Sequence, residues 1–376
     1  MIKLDGDIID RAIKASAEND LKTNEILGAC VYVSQNGRVL TDRAFGYKTA
    51  DKKIPLEKEH IFRLASMTKP IIAVAVVKLI EDGKLDLYDR ADKFIDGFNG
   101  FYIGKVENGS VIPTKKAVNP IRVIDLLTHS SGLVSGAVAD VYYRQMTQSD
   151  KKDLDSVISF YKKTCLSFEP ACGNEYSATA AFDVLAKIVE IVSDSDIEDY
   201  LKREIFEPLD MADTTFTPSE KQWSRIVDMQ DVVDGKSVKC DMKGCIFSDL
   251  PVSYKCGGAG LVSTIGDYAA FAGMLCGGGE YKGRRILSKR SVEAIGSPQI
   301  PEKYSIEPET WGLGVRVVKD KNIIPKGCFG WSGAYGTHFW VDPENEIVAV
   351  YMRNSVKANG SAAETARRFE RDVYGK

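Results

Sequence analysis

The sequence predicts an α+β protein: an α/β sandwich with a central antiparallel sheet, built from both ends of the chain, plus an inserted all-helical domain. Three observations carry this. Two β-like runs flank Asn36-Gly37 near the start, helical periodicity dominates from residue 67 to about 206, and short strand-like runs return in the last third. The simplest way to pair the early hairpin with the late strands is one sheet. The expected units are a discontinuous sheet domain, residues 1–62 and 255–376, and a helical domain, residues 63–254. A cleft between two such layers is a usual place for a site.

Each element has its own signal. Residues 7–18 carry Ile8, Ile9, Ala12 and Ile13 at helical spacing, with Ser16 continuing the stripe. Asn36-Gly37, between ACVYVS and RVLTDRAFG, marks a hairpin because both turn positions need positive φ. Residues 71–82 form a helix stopped by Gly83. Residues 97–120 are rich in Gly, Asn and Pro and read as a long excursion, a lid or a site wall. Residues 179–192 place Ala181, Leu185, Ile188 and Val192 on one helical stripe. Ser195 and Glu198 fit a capping box that starts the next helix, closed by Pro208. GAGLVS precedes a helix whose N-terminus reads Thr264-Ile265-Gly266-Asp267 and whose end is Gly277-Gly278-Gly279. GLGVRVV, FGWSG, THFWVD and IVAVYMR read as strands, and a helix with Ala362, Ala363, Ala366 and Phe369 closes the chain.

Composition narrows the function. At about 150 residues per domain, 376 residues allow two to three domains. Lys+Arg total 50 against 53 Asp+Glu, a formal charge of −3, which excludes a strongly basic nucleic-acid binder. The first twenty residues lack the apolar stretch of a signal peptide, and the longest apolar run, Ile71 to Val77, is too short to span a bilayer. Eight cysteines in a chain this long are no disulfide scaffold. The expectation is a cytoplasmic protein with reduced thiols, no membrane partner and no nucleic-acid partner.

The most informative segment is Phe62-Arg63-Leu64-Ala65-Ser66-Met67-Thr68-Lys69-Pro70. Pro70 lacks an N–H and is tolerated in a first helical turn, so the helix starts near Ser66. That sets Ser66 at the positive end of the dipole, with Lys69 one turn on along the same face. A serine there can act as a nucleophile, its own N–H can help hold an oxyanion, and the lysine can take its proton. S-x-x-K alone is weakly specific, since an N-cap serine and a surface lysine give the same letters. Three further segments sharpen it: Ile121 to Leu133 (IRVIDLLTHSSGL), Asn174-Glu175-Tyr176-Ser177-Ala178, and Gly330-Trp331-Ser332-Gly333-Ala334-Tyr335-Gly336-Thr337.

Together these four segments resemble the serine β-lactamase and penicillin-binding-protein superfamily, over residues 25 to 355. Within it the chain looks most similar to class C β-lactamases and family VIII carboxylesterases. The resemblance implies a β-lactamase/transpeptidase-like fold with Ser66 and Tyr176 in the cleft between the two units. It implies Ser66 as acylated nucleophile, Lys69 as its helix partner, and Tyr176 as the tyrosine that acts as, or shares, the general base. Ser332 and Gly333 match the end of the K-T-G strand motif, and the N–H of Ala334 would complete an oxyanion hole with that of Ser66. Free Lys and Tyr have pKa values near 10.4 and about 10, so neither is a base at neutral pH unaided; held together they can share one proton.

Two departures matter. The family's Tyr-x-Asn reads Tyr176-Ser177-Ala178, and Ala178 has no side-chain donor or acceptor. The Lys of K-T-G is Trp331, which cannot supply its charge. Both remove polar recognition of a β-lactam and keep the acylation parts. The reading is therefore a carboxylesterase acting on small or short-chain esters, with weak or no β-lactamase activity and no metal or other cofactor. A β-lactamase or D-alanyl carboxypeptidase, an acyltransferase, and a silent ligand-binding homologue are the alternatives. Trp331, Ser332, Gly333, Ala178 and Tyr335 are the expected substrate contacts. Phe101, Tyr102, Trp311 and Trp340 are further candidates for an apolar acyl pocket, core packing being the plainer role of each.

Other features are weaker. His129 reads as a structural, hydrogen-bonded residue, and His338 borders the pocket or packs its strand. Cys240, Cys245 and Cys256 lack a fourth zinc ligand at a convincing spacing. The pairs Lys115-Lys116, Lys151-Lys152 and Lys162-Lys163 read as solvated surface.

Overall fold

A computed structural model describes residues 2–147, 149–240, 242, 252–320, 323–358 and 363–376. Seven strands form the main sheet: β1 (Gly28–Gln35), β2 (Arg38–Gly46), β3 (Glu309–Trp311), β4 (Arg316–Val318), β5 (Phe329–Ser332), β6 (His338–Asp342) and β7 (Ile347–Met352). Their order is β3-β4-β5-β6-β7-β1-β2, and every pairing is antiparallel. The closing seam joins β1 to β7, with Cys30 opposite Met352 and Gln35 opposite Ile347. The β1–β2 turn has Asn36 at φ 51° and Gly37 at φ 72°, the left-handed pair that an Asn-Gly turn supplies without strain. The edge strand β3 was not among the expected ones; its three residues are too few to show a period.

Both faces of the sheet are covered. Against one lie α1 (Gly6–Lys22) and α5 (Glu364–Tyr374), whose Ile9, Ile13, Phe369 and Val373 pack on Val31, Val33, Trp340 and Ala349. Asp5 caps α1 by accepting the Asp7 and Ile8 N–H groups, while Ile8 itself stays exposed and the buried stripe runs through Ile9, Ile13 and Ala17. Against the other face lies α4 (Ile265–Cys276), with Tyr268 edge-on to Phe339 at 5.0 Å. Helices α2 (Thr68–Glu81) and α3 (Ala180–Ser193) belong to the same apolar cluster as Phe339, Val341 and Val350. The core is therefore continuous from the sheet into the helical region. Helix α2 is buried on all sides from Thr68 to Val77, as an all-round apolar helix must be. Alternation along β6 and β7 decides the rest: Phe339, Val341, Val348 and Val350 face α4, and Trp340, Ala349 and Tyr351 face α1 and α5.

Two expectations change. Residues 102–116 are an ordered hairpin, Tyr102–Glu107 with Ser110–Lys116, turning on Asn108 and Gly109 at positive φ. The helix after α3, Ile197–Leu201, is capped by Asp196 and not by Ser195. Glu198 instead accepts the Phe216 and Thr217 N–H groups at 2.9 and 3.1 Å. Ala362 and Cys245 lie outside the described residues. Among those described, no helix is long and apolar enough to cross a membrane.

A buried polar chain ties α5 to the sheet. Ser332 Oγ meets His338 Nδ1 at 2.7 Å, and His338 Nε2 meets Glu370 Oε1 at 3.1 Å. Arg316 and Arg367 donate to the same carboxylate at 3.4 and 3.0 Å. Burial alone would raise Glu370, but the His338 hydrogen bond and the nearby cations outweigh it and hold the carboxyl at about 2. Burial also pushes His338 below the ordinary histidine range, so at neutral pH the charged partners of Glu370 are the two arginines. A carboxyl depressed on folding contributes stability above its unfolded pKa and loses it as pH falls through the folded one. The stability gap between the parent and Glu370→Gln is expected to shrink by on the order of 3 kcal/mol between about pH 4.5 and pH 2, measured by urea unfolding at each pH. A gap that does not change with pH would contradict this.

Candidate active site

The nucleophile candidate is set by backbone strain and close packing. Ala65 sits at φ 48°, an unusual conformation for a residue with a Cβ, and opens a 3₁₀ turn, Ala65–Met67, that runs into α2. The turn is pinned on both sides: Leu64 N–H donates to Leu261 O at 3.0 Å, and Tyr268 Oη donates to Met67 O at 2.9 Å. From residue 61 to 77, Ser66 alone is not buried. Its N–H is the second of the helical run, among those a helix leaves without an internal partner.

Lys69 and Tyr176 both reach Ser66. Tyr176 Oη lies 2.8 Å and Lys69 Nζ 3.1 Å from Ser66 Oγ. Lys69 is fully buried, and its nitrogen also donates to Ala178 O at 2.6 Å and Gly258 O at 2.7 Å. Two carbonyls, which only accept, therefore consume two N–H bonds whatever the charge. The remaining position on the nitrogen faces Ser66, as an N–H when protonated and as a lone pair when not.

The loop that carries Tyr176 is laced to residues 128–132. Asn174 Nδ2 donates to Thr128 O at 2.7 Å, Glu175 N–H to His129 O at 3.1 Å, and Ala171 N–H to Ser130 O at 2.9 Å. His129 Nδ1 accepts the Ser177 N–H at 3.2 Å, so its ring proton is on Nε2. Burial, with Lys69 nearby, holds His129 well below the ordinary histidine range. His129 is structural: it fixes Tyr176 and does not touch Ser66.

Strand β5 ends against the same turn. Thr337 Oγ1 donates to Leu64 O at 2.8 Å, and Gly333 N–H to Thr337 O at 2.7 Å. A Cβ on Gly333 would stand 2.1 Å from Leu64 O, so only glycine lets the strand end approach the backbone that leads into Ser66. Beyond it, Gly336 N–H closes a turn on Gly333 O at 2.9 Å. Ala334 is the first central residue of that turn, exposed, and its N–H is not used in closing it. Tyr335 is the second, half-buried, with its carbonyl accepting the Ser355 N–H at 2.9 Å.

Trp331 faces the site. Its ring lies 5.4 Å from Tyr176 and 4.6 Å from Trp311, and Trp311 stacks on Tyr176 at 6.0 Å and 13°. His129 packs edge-on to Trp311 at 4.4 Å, completing an aromatic group around the tyrosine. Ser332 does not face the site. Successive strand residues point to opposite faces, and Ser332 is buried toward α5, bonded to His338. Its expected substrate contact is corrected on that ground, as is a pocket-border role for His338. Trp340 lies on that far face, 5.3 Å from Phe369, and Phe101 packs on Phe98 at 5.1 Å, so neither lines the site. Tyr102 is exposed on the 102–116 hairpin. Ala178 contributes its carbonyl to Lys69. Cys256 is buried behind the site and Cys240 lies in the 236–240 region; among the described residues no group of His, Cys, Asp and Glu is placed to hold a metal.

Sequence reasoning missed Gly258, the second carbonyl on Lys69. The signal was Gly257-Gly258 after Cys256, a pair that forms a turn closed by the Ala259 and Gly260 N–H groups on Cys256 O at 3.1 and 2.7 Å. A Cβ on Gly257 would stand 2.3 Å from Phe182 O, and one on Gly258 2.5 Å from Thr179 Cα. The glycines let this segment lie flat on the first turn of α3.

Gly333→Ala is expected to destabilise the fold by about 1–3 kcal/mol and to slow labelling of Ser66 by a fluorophosphonate. Parent-like stability and labelling would show that the strand end is not pressed against the Ser66 turn.

Comparison with known proteins agrees with the geometry. A sequence model described as Beta-lactamase matches residues 9–371. Protein Rv1367c of Mycobacterium tuberculosis is 29% identical over 346 residues, covering 86% of this chain and 85% of that one. EstCE1, described as a hydrolase with promiscuous acyltransferase activity, superposes with a TM-score of 0.83 at 21% identity, covering 98% of this chain and 99% of the other. A family VIII carboxylesterase superposes with a TM-score of 0.76 at 16% identity, covering 97% and 96%. At those identities the two solved structures show the fold. With the family model spanning nearly the whole chain, the protein belongs to the Beta-lactamase family of serine hydrolases.

Proposed function

We propose that the protein is a carboxylesterase that forms an acyl-enzyme at Ser66. The observation that carries this is the convergence of Lys69 Nζ and Tyr176 Oη on Ser66 Oγ, at 3.1 and 2.8 Å, inside an aromatic surround. Ser66 Oγ attacks the ester carbonyl, and its proton passes to the Lys69–Tyr176 pair. The N–H groups of Ser66 and Ala334 receive the oxyanion. Collapse breaks the bond to the leaving alkoxide, which takes the proton back through Tyr176. Water then attacks the acyl-enzyme by the same proton route, giving the acid and free Ser66. The intact set of three supports catalysis over a silent ligand-binding role.

The substrate class follows from what flanks Ser66. Trp331 and Trp311 offer apolar surface where a cation would stand in a β-lactam binder, and Ala178 turns only a carbonyl, already used by Lys69, toward the site. Uncharged esters with small or short-chain acyl groups fit this chemistry better than an anionic β-lactam. Acyl transfer to an alcohol is the second reading. It shares the acylation half, and the description of EstCE1 favours it. Added alcohol that diverts product from acid to a new ester would support transfer. A cytoplasmic location remains part of the proposal.

Short-chain p-nitrophenyl esters are expected to be cleaved faster than a chromogenic cephalosporin. Ser66→Ala is expected to lower kcat on the order of 10⁴-fold or more. Full esterase activity in Ser66→Ala would refute the mechanism, and a preference for the cephalosporin would refute the reading of Ala178 and Trp331.

A further inference from the structure

One fully buried carboxyl lies behind the site and takes no part in the steps above. Asp183, on α3, accepts from Tyr161 Oη at 2.9 Å and Tyr254 Oη at 2.5 Å through one oxygen. Its other oxygen accepts the Gly258 N–H at 3.4 Å, and the Cys256 thiol also hydrogen-bonds to it. Tyr161 Oη reaches Thr179 Oγ1 at 3.1 Å, and Tyr143 Oη reaches the same hydroxyl at 2.9 Å. Thr179 directly follows Ala178. The carboxyl is thus bonded, directly or through Tyr161, to both segments whose carbonyls hold Lys69.

We propose that Asp183 is the positioning residue for Lys69: it gathers Gly258 and, through Tyr161 and Thr179, Ala178 into the two-carbonyl cradle that fixes the lysine nitrogen on Ser66. The Gly258 N–H is tied to α3 through Asp183, so removing the carboxyl takes away that tie, while the glycines themselves have no side chains to hold the segment there. The carboxyl end of the cradle is dry, since Tyr161, Tyr254 and Gly258 all donate to Asp183 in the interior. Burial raises Asp183, against the pull of its donors, and raises Tyr161, Tyr254 and Cys256 well above their ordinary values, so all three keep the protons they donate. A buried carboxyl of this kind is costly unless each lone pair is used, which gives the four donors their reason to converge.

The inference rests on the reading of Ser66 and Lys69 as the acylating pair, and its test separates the two. The rate constant for fluorophosphonate labelling of Ser66 is measured in the parent, Asp183→Asn, Asp183→Leu and Asp267→Asn, with kcat and KM for a p-nitrophenyl ester. Asp267 is a half-buried carboxyl, on α4, that accepts from the Asp213 N–H at 2.8 Å and Thr214 Oγ1 at 3.0 Å and, among the described residues, hydrogen-bonds to none of the site. Labelling is expected to slow about 10-fold in Asp183→Asn and about 100-fold in Asp183→Leu, with kcat falling in step and KM little changed. Asp267→Asn is expected to lower the melting temperature without slowing labelling. A rate constant, unlike a final extent, does not count unfolded protein; should Asp183→Leu not fold, Asp183→Asn decides alone. Parent-like labelling in Asp183→Asn overturns the positioning role. Absence of labelling in the parent overturns the reading of Ser66 instead.

Discussion

The arrangement depends on how an amine is carried into a dry interior. Lys69 is fully buried, and a nitrogen left there without acceptors would cost several kcal/mol. The fold meets this with two backbone carbonyls, Ala178 O and Gly258 O, and with Ser66. Each acceptor comes from a different part of the chain, so the turn leading into α2, the segment just before α3 and the glycine segment before α4 must meet at one atom. The close contacts at Gly257, Gly258 and Gly333 are the steric side of the same requirement. What looks like a catalytic detail is therefore also a packing constraint on three elements.

Much of this was legible. S-M-T-K-P put the helix start and the Ser–Lys pair one turn apart because proline belongs in a first turn. Asn36-Gly37 gave the hairpin, and Thr264 with Asp267 gave the start of α4, where the threonine accepts the Asp267 N–H at 3.2 Å. The site's chemistry was legible through side chains that have few other uses. Its support was not, because that support is backbone. Gly258 O and Ala178 O carry no letter in the sequence, and Asp183 reads as one more polar residue on a helix until Tyr161, Tyr254 and Gly258 are seen around it.

Two misreadings have simple physical causes. Trp331 and Ser332 cannot both face a site from one strand, and period-two alternation already says so. Ser332 went to the far face, where it holds α5 through His338 and Glu370. The hairpin inside the 97–120 excursion goes unread because its polar residues hide a second Asn-Gly turn at Asn108-Gly109. Exposed hairpins have little apolar alternation to reveal them, since most of both faces is wet.

The seam between β1 and β7 bears on how the protein comes to exist in a cell. Synthesis proceeds from the N-terminus, so β1 leaves the ribosome more than 300 residues before its partner, with one edge paired to β2 and the other bare. The Ser66 turn is likewise made long before β5 arrives to press on it. Such long loops must close before their contacts repay the lost chain entropy, which makes folding slow and leaves a sticky strand edge waiting. The Ser66 turn therefore reaches its final packing only after β5 and Thr337 have been made, some 270 residues later.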